Sequence, residues 1–185
     1  FGVNHEHPAL PKLLFGLAHL ADARWHLFRH ESDAYRVVGM LCAGALVWLL
    51  YVFGARLWDR RAGLFAALAY ALLPRPFYHA HLCAFDVPIT LAMTATTYAY
   101  YRSLTCRRWA LWTGLLFGLA LSTKHNSWLL PGVFAVHFAL IVAIERAARR
   151  RGAKPAIGVA PRWLLAMVLI GLALVHNPRS AEAQF

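Results

Sequence analysis

Basic residues fall on alternate connections between a series of apolar segments. From position 37 onward, one set of connections holds clusters of Arg and Lys, and the other set holds few basic residues but most of the histidines in this part of the chain. Short connections rich in Lys and Arg stay on the cytoplasmic side of a membrane. The alternation therefore predicts a chain that crosses a bilayer repeatedly. The basic set is Arg56, Arg60, Arg61, Arg102, Arg107, Arg108, Arg146, Arg149, Arg150, Arg151, Lys154 and Arg162, and the opposite set is Arg75, His79, His81, Lys124, His125, His176 and Arg179.

The composition argues against an ordinary soluble domain. Charged residues make up 15% of the chain and the mean hydropathy is +0.49, whereas soluble domains carry about 25% charged residues. The net charge of +11 would also suit a nucleic-acid-binding protein. However, the basic residues are clustered between apolar segments, which is typical of loops that face anionic lipid. We therefore expect a lipid bilayer as partner, and no nucleic acid.

Six segments are long and apolar enough to be considered as spans, given that a transmembrane helix needs about 20 largely apolar residues. They lie at residues 37–53, 62–73, 87–101, 109–123, 127–144 and 163–175. The second is short and stops at Pro74, because proline breaks a helix. We expect the stretch from Pro74 to Cys83 to be irregular and buried in protein near the outer surface. The prediction is an all-α, polytopic membrane helix bundle over residues 34–178, followed by a loose tail at 179–185.

Residues 1–33 are predicted to form an outer-face loop and an amphipathic helix. Pro8 suits the first turn of a helix. Leucines recur at helical spacing after it, and charged residues make the segment too polar to span a membrane. We therefore expect the helix to lie along the outer surface of the bilayer. The leucines are Leu10, Leu13, Leu14, Leu17 and Leu20, and the opposing polar residues are Lys12, His19, Asp22 and Arg24.

Groups able to do chemistry gather on the predicted outer face. A carboxylate at the edge of a membrane span is costly unless it is solvated or paired, and such residues are usually functional. Asp86 meets that description at the start of one span, and Lys124 lies at the end of another. The candidate site residues are Glu6, His7, Lys12, Arg75, His79, His81, Asp86 and Lys124.

Simpler interpretations exist for several of these residues. Asp86 directly precedes a predicted helix and could accept hydrogen bonds from its free N–H groups as an N-cap. Lys124 could extend along the apolar surface to place its ammonium in water. His79, His81 and Cys83 alternate along a predicted extended loop and could converge on a metal. The signal is unspecific, so we predict no metal site and expect these histidines to act through hydrogen bonds.

His137 lies within an apolar span. Such a histidine is more often satisfied by a neighbouring helix than used as a ligand. We expect His137 to have an interhelical partner.

Three motifs resemble those of a known enzyme family. Residues 7–12, His-Pro-Ala-Leu-Pro-Lys, are similar to the His-Pro-Pro-Leu-x-Lys signature of protein O-mannosyltransferases and to the Lys-Pro of lipid A aminoarabinose transferases. Residues 84–89, which contain Asp-Val-Pro, resemble the family's Asp-x-Pro-Leu segment. Residues 114–124 end in Thr-Lys and resemble its Gly-Leu-Ala-x-x-Thr-Lys segment. All three occur in the family's order and on one predicted membrane face.

The resemblance implies a C-type integral-membrane glycosyltransferase, with part of that fold. Such enzymes move a sugar from a polyprenyl-phosphate donor to a protein, lipid or glycan acceptor. They work on the non-cytoplasmic (periplasmic or extracytoplasmic) face and need no further cofactor. By this resemblance Asp86 and Glu6 would serve as acid or base. The donor's phosphate or sugar would be bound by His7, Lys12, Arg75, His79, His81 and Lys124.

One departure from the family concerns the N-terminus. In the resembling families the main catalytic acid lies in the first outer loop, upstream of the His-Pro motif, and this sequence begins only a few residues before His7. We therefore expect a fragment that lacks that loop and is inactive alone.

A small transporter or assembly subunit, binding a polar or lipid-phosphate ligand without catalysis, is the alternative. Transporters tend to have inverted repeats and helices interrupted near the midplane. Here no repeat is visible and the polar residues gather at one surface, which favours chemistry.

Overall fold

The computed structural model describes residues 8–151, and within that range the chain is all-α, as predicted. The predicted tail and the sixth predicted span, as well as Glu6 and His7, lie outside the described residues. The helices are α1 (Ala9–Trp25), α2 (Glu31–Leu57), α3 (Arg60–Leu72), α4 (Pro74–Ala80), α5 (Asp86–Ser103), α6 (Trp109–Leu121) and α7 (Leu129–Arg150), with a 3-10 helix, His125–Trp128, before α7.

Two helical segments in the described range are long and apolar enough to cross a membrane. They are α2 and the continuous segment His125–Arg150, which joins the 3-10 helix to α7. A third, α6, is apolar but shorter. The segments predicted as spans at 62–73 and 87–101 are helical, as α3 and α5, but do not reach the same combination of length and hydropathy. The described residues thus contain two candidate spans where the charge alternation predicted five.

α2 and α3 form a tight hairpin. The Asp59 side chain accepts a hydrogen bond from the Ala62 N–H at 2.8 Å and caps α3 two residues after α2 ends. Beyond the turn, Gly54 and Gly63 allow the two backbones to touch, because a Cβ on Gly54 would lie 2.8 Å from the Gly63 Cα. Small residues permit this kind of close helix approach in membranes. The chain therefore returns directly to the end at which α2 began.

α5 lies between α2 and α7. On one side the Tyr98 ring meets Phe53 of α2 edge-on, with 5.4 Å between centroids. On the other side Tyr100 stacks on Phe134 of α7, with 4.1 Å between centroids. The Tyr100 hydroxyl also lies 3.1 Å from Nδ1 of His137. The predicted interhelical partner of His137 is thereby confirmed.

α1 exposes most of its leucines, whereas Phe15 and Asp22 face inward. Leu13, Leu17 and Leu20 are each at least 60% exposed. Asp22 is buried, and its carboxylate accepts a hydrogen bond from the Phe28 N–H at 2.8 Å. A surface helix of a soluble protein has the opposite pattern, with its apolar stripe against the core. The arrangement is the one expected of a helix that rests on lipid. Pro8 is the N-cap residue of α1 rather than part of its first turn.

The stretch that follows α3 is helical, so the prediction of an irregular segment there was wrong. Pro74 ends α3 but also begins α4, because proline suits the first position of a helix, where its missing N–H is not needed. The C-terminal end of α4 packs closely against α2. A Cβ on Gly39 would lie only 2.8 Å from the Ala80 carbonyl oxygen.

The helices define two ends of the bundle. We call the end where α5 begins and α6 finishes the Asp86 end, and the other the arginine end. At the arginine end the Arg102 guanidinium lies 4.7 Å from the centre of the Trp109 ring, a cation–π contact. The predicted loop after Arg146 is instead helical as far as Arg150. Within residues 8–151 the arginines at this end are Arg56, Arg60, Arg61, Arg102, Arg107, Arg108, Arg146, Arg149, Arg150 and Arg151.

Candidate active site

Three elements bring charged and polar side chains together at the Asp86 end. Oδ1 of Asp86 accepts a hydrogen bond from the Lys124 ammonium at 3.0 Å. Oδ2 of the same carboxylate lies 3.8 Å from Nδ1 of His79. These residues come from α5, from the connection after α6 and from α4. The fold thus joins three of the candidate residues that the sequence scatters over 46 positions.

Asp86 is held by the first turn of α5 but does not cap it. The N-cap position belongs to Phe85, and no side-chain cap hydrogen bond forms there. The N-cap interpretation of Asp86 was therefore wrong, because the helix begins at Asp86 itself and its carboxylate turns to Lys124. Val87 is buried, and the Thr90 hydroxyl donates to the Asp86 carbonyl at 2.6 Å. A carboxylate in the first turn is also favoured by the helix dipole.

Lys124 is fixed by its backbone. The residue is extended, at φ −160° and ψ 141°. Its N–H donates to the Ala120 carbonyl at 3.1 Å, and its carbonyl accepts from the buried Ser127 hydroxyl at 2.9 Å. The side chain is 24% exposed. Lys124 therefore does not simply extend into water, since its ammonium is directed at Asp86.

His79 has a nitrogen without a hydrogen bond. Its Nδ1 atom is shielded from solvent and has no hydrogen-bond partner in the described part of the chain. The 3.8 Å to Asp86 is close enough for an electrostatic contact but too long for a hydrogen bond. A buried polar group left in this state costs about 1–3 kcal/mol. His79 therefore lies beside the Asp86 carboxylate without a hydrogen bond to it.

His81 points to a different part of the molecule. Its Nδ1 is hydrogen-bonded to the Phe77 carbonyl at 2.8 Å, and its ring packs on that of Phe77. Together with Met40 and Tyr70 it lines an apolar groove of about 310 Å³ between α2, α3 and α4. The predicted extended loop, on which alternate residues would converge, was wrong because α4 is helical. Over residues 8–151 no group of three or more His, Cys, Asp or Glu is arranged to hold a metal.

α1 docks beside the acid–cation pair. The Leu10 N–H donates to the Ser122 carbonyl at 3.2 Å, two residues before Lys124. The Phe15 ring packs against that of Phe85, next to Asp86, with 6.0 Å between centroids. This contact was not predicted from the sequence. A backbone hydrogen bond uses groups that every residue except proline has, and two apolar rings give no signal of which partner they will meet.

The docking brings the helix of Lys12 to the site. Lys12 is partly buried and already takes part in an interaction within the protein. Arg75 is exposed in the first turn of α4. The other two candidates, Glu6 and His7, precede the described residues.

The arrangement can perform acid–base chemistry next to an anion site. Asp86 can accept a proton, and its side chain is 54% exposed, so that a substrate can reach it. Lys124 can stabilise a phosphate or a departing anionic oxygen. Together with the apolar helices, these groups define a class of membrane-type helical proteins with an acid–cation pair at one end of the bundle.

Comparison with known proteins identifies the family within that class. The chain belongs to the dolichyl-phosphate-mannose-protein mannosyltransferase family, whose family model matches residues 7–176. The predicted resemblance is thereby confirmed. Members of the family are integral membrane proteins, and membership makes this chain a mannosyltransferase-like glycosyltransferase at the general level. Neither the curated proteins nor the solved structures that were compared contain a match to this chain.

The docking of α1 predicts a disulfide. With the three native cysteines replaced by serine, the pair Leu10→Cys and Ser122→Cys should oxidise to a cross-link, because the hydrogen bond between their backbones brings the Cα atoms near the range of about 4.4–6.8 Å that a disulfide needs. The control pair Leu17→Cys and Ser122→Cys should stay reduced, because Leu17 lies about 10 Å further along the helix. Gel mobility with and without reductant measures both. Equal cross-linking of the two pairs would contradict this docking.

Proposed function

We propose that this site transfers a sugar from a polyprenyl-phosphate donor to an acceptor on the non-cytoplasmic face of the membrane. Family membership supports a lipid-linked sugar donor and a protein acceptor at the family level. The contact between Asp86 and Lys124 supports placing the reaction at this end of the bundle. Its oxygen and nitrogen atoms, Oδ1 and Nζ, lie 3.0 Å apart. It joins a proton acceptor to a cation, which are the two groups that the reaction needs.

The reaction follows from these two groups. The acceptor's nucleophilic atom forms a bond to the anomeric carbon of the sugar while its proton passes to the Asp86 carboxylate. The bond between the anomeric carbon and the phosphate oxygen breaks, and its electron pair leaves with the polyprenyl phosphate. Lys124 stabilises the negative charge that grows on that oxygen. Atoms and charge balance with no oxidant, reductant or further cofactor.

The remaining candidate residues extend the same site in this proposal. Lys12 lies on the helix that docks beside the pair, and Arg75 lies on the helix that carries His79. We propose that both bind the donor's phosphate or sugar, together with His7. Glu6 is a second candidate acid. We leave His81 out, because its ring faces the apolar groove.

A multi-pass arrangement in the membrane is supported by the outer surface of the bundle. Only 28% of the apolar window of α2 and 17% of that of His125–Arg150 are buried within the protein. Large apolar side chains such as Leu41, Trp48 and Leu140 are more than half exposed. Contiguous apolar surface of this kind marks a membrane or protein contact. A lipid-linked donor could then reach the site from the bilayer itself.

The face is inferred from charge. Arginines gather at one end of the bundle, and short basic segments stay in the cytoplasm. The Asp86 end would then be non-cytoplasmic, and residues 1–33 would lie on the same side.

Two native cysteines can test whether the Asp86 end is non-cytoplasmic. In a Cys42→Ser protein in sealed cells, a membrane-impermeant maleimide should label the exposed Cys83 at the Asp86 end and spare Cys106 at the arginine end. Cys106 should react only after permeabilisation. The Cys83 thiol is still partly shielded from water, which raises its pKa, and the thiolate is the reactive form. Labelling should therefore accelerate as the pH is raised toward that pKa. Labelling of Cys106 with Cys83 spared in sealed cells would reverse the proposed topology.

Substitution of the pair tests the function. In the full-length protein, Asp86→Asn keeps the size of the side chain but removes its basicity, so sugar transfer should fall by about 10²–10⁴-fold, the scale of general acid–base catalysis. Lys124→Ala should raise KM for the donor and lower kcat together, because a phosphate-binding cation acts in both the ground and transition states. Transfer from dolichyl-phosphate-mannose to a protein acceptor is the measurement.

Ser122→Ala is the matched control for these variants. Ser122 is exposed and lies two residues before Lys124, and its hydroxyl bonds only to the preceding turn among the described contacts. Transfer by this variant should stay near the wild-type rate. If Asp86→Asn inserts normally and retains that rate as well, Asp86 is not the base and the catalytic role proposed for it is wrong.

A further inference from the structure

The Asp86 carboxylate has a partner on one oxygen and an incomplete contact on the other. Lys124 is bonded to Oδ1 at 3.0 Å, whereas His79 stops 3.8 Å from Oδ2. The proposed reaction requires Lys124 to meet the donor's phosphate and Asp86 to accept a proton. In the arrangement described above, the two residues instead neutralise each other.

We infer that Lys124 exchanges partners when the donor binds, and that His79 then holds the carboxylate that Lys124 has released. The phosphate draws the ammonium away from Oδ1, and the Nδ1–H of His79 closes on Oδ2. His79 is thus a positioning residue for Asp86, in place of the donor-binding role expected from the sequence. The inference rests on the proposed function and adds the order of events to it.

The ion pair is suited to being exchanged. Half of the Asp86 side chain is exposed, and ion pairs in contact with solvent are held weakly. The Lys124 backbone is fixed at both its N–H and its carbonyl, but the ammonium sits on a flexible four-carbon stem. The charge can therefore swing to a neighbouring phosphate without a loop movement.

His79 is suited to take over the carboxylate. Its Nδ1 is shielded from solvent and lacks a hydrogen bond, so a bond to Asp86 would remove an unfavourable state. The gap is less than about 1 Å beyond hydrogen-bond distance. The C-terminal end of α4 packs directly against the backbone of α2 at Gly39, which restrains the position of α4. A small rotation of either side chain therefore completes the contact.

The exchange has a consequence for catalysis. While Lys124 is bonded to Oδ1, that oxygen is occupied and cannot receive the acceptor's proton. Binding of the donor would then free Asp86 for the acceptor's proton, and catalysis would require that the donor is already in place.

Binding of dolichyl phosphate to the full-length protein in detergent tests the exchange. Asp86→Asn should bind this ligand about two- to fivefold more tightly, because Lys124 no longer has a competing carboxylate and the pair is of the weak, exposed kind. Lys124→Gln should bind at least tenfold less tightly, and His79→Ala about two- to fivefold less tightly, because the bond from His79 to the carboxylate forms only when the ligand is bound. Unchanged or weaker binding by Asp86→Asn would overturn the exchange.

The same binding measurement distinguishes failure of the partner exchange from failure of the proposed donor site. If the wild type does not bind dolichyl phosphate, or if Lys124→Gln binds as well as the wild type, the proposed donor site is wrong and the exchange fails with it. If both behave as expected and only the gain in Asp86→Asn is missing, the exchange alone fails.

Transfer kinetics test the role of His79. His79→Ala should lower kcat/KM for dolichyl-phosphate-mannose about five- to tenfold, the scale of one lost hydrogen bond. His79→Asn should recover most of this loss, because its amide nitrogen takes the place of Nδ1. In an Asp86→Asn protein, adding His79→Ala should lower sugar transfer by less than a further twofold, because His79 acts through Asp86. Tyr78→Phe, on the same turn of α4, is the control for local disturbance.

The alternative outcomes for His79 are distinct. Weaker binding of dolichyl phosphate in His79→Ala that persists in an Asp86→Asn protein would mean that His79 binds the donor directly. An equal loss in the alanine and asparagine variants would mean a structural role. If the double variant lost transfer by the full product of the two single effects, His79 would not act through Asp86. Each of these results overturns the positioning role.

Discussion

The contact between Asp86 and Lys124 organises the proposed active site. It connects two segments that lie 38 positions apart in the chain, the start of α5 and the connection after α6. The surrounding elements meet at the same place, because α4 brings His79 to the other carboxylate oxygen and α1 docks on the carbonyl of Ser122. A carboxylate and an ammonium in contact are stable while no substrate is present, and they are also the two charges that sugar transfer from a phosphate donor requires.

Apolar surface determines where such a site can be. The sides of the bundle expose large apolar residues such as Leu41 and Trp48, and charged groups there would be costly in lipid. The ends of the helices are the positions where ionised side chains can reach water. One end collects arginines, and the other holds Asp86, Lys124 and His79. α1 follows the same constraint, since its leucines face outward and Asp22 faces inward.

The sequence predicted the helices and the family better than the contacts. Apolar length and flanking charge located α2, α3, α5, α6 and α7 because those properties are local. The role of Asp86 as an N-cap could not be decided from sequence, because it depends on whether the helix begins at residue 86 or 87. The motif of His79, His81 and Cys83 was misread because Pro74 starts a new helix as well as ending the previous one. The site residues converge through tertiary packing, which leaves no periodic signal.

A charge exchange tests most directly whether the pair acts in chemistry or only holds two segments together. Asp86→Lys and Lys124→Asp, combined in one full-length protein, preserve an ion pair between the same two positions but exchange the places of the base and the cation. We expect the double variant to insert and fold better than either single reversal, while transfer from dolichyl-phosphate-mannose stays at least about 10²-fold below that of the wild type. Recovery of near-wild-type transfer in the double variant would contradict the account, because it would mean that the pair is structural.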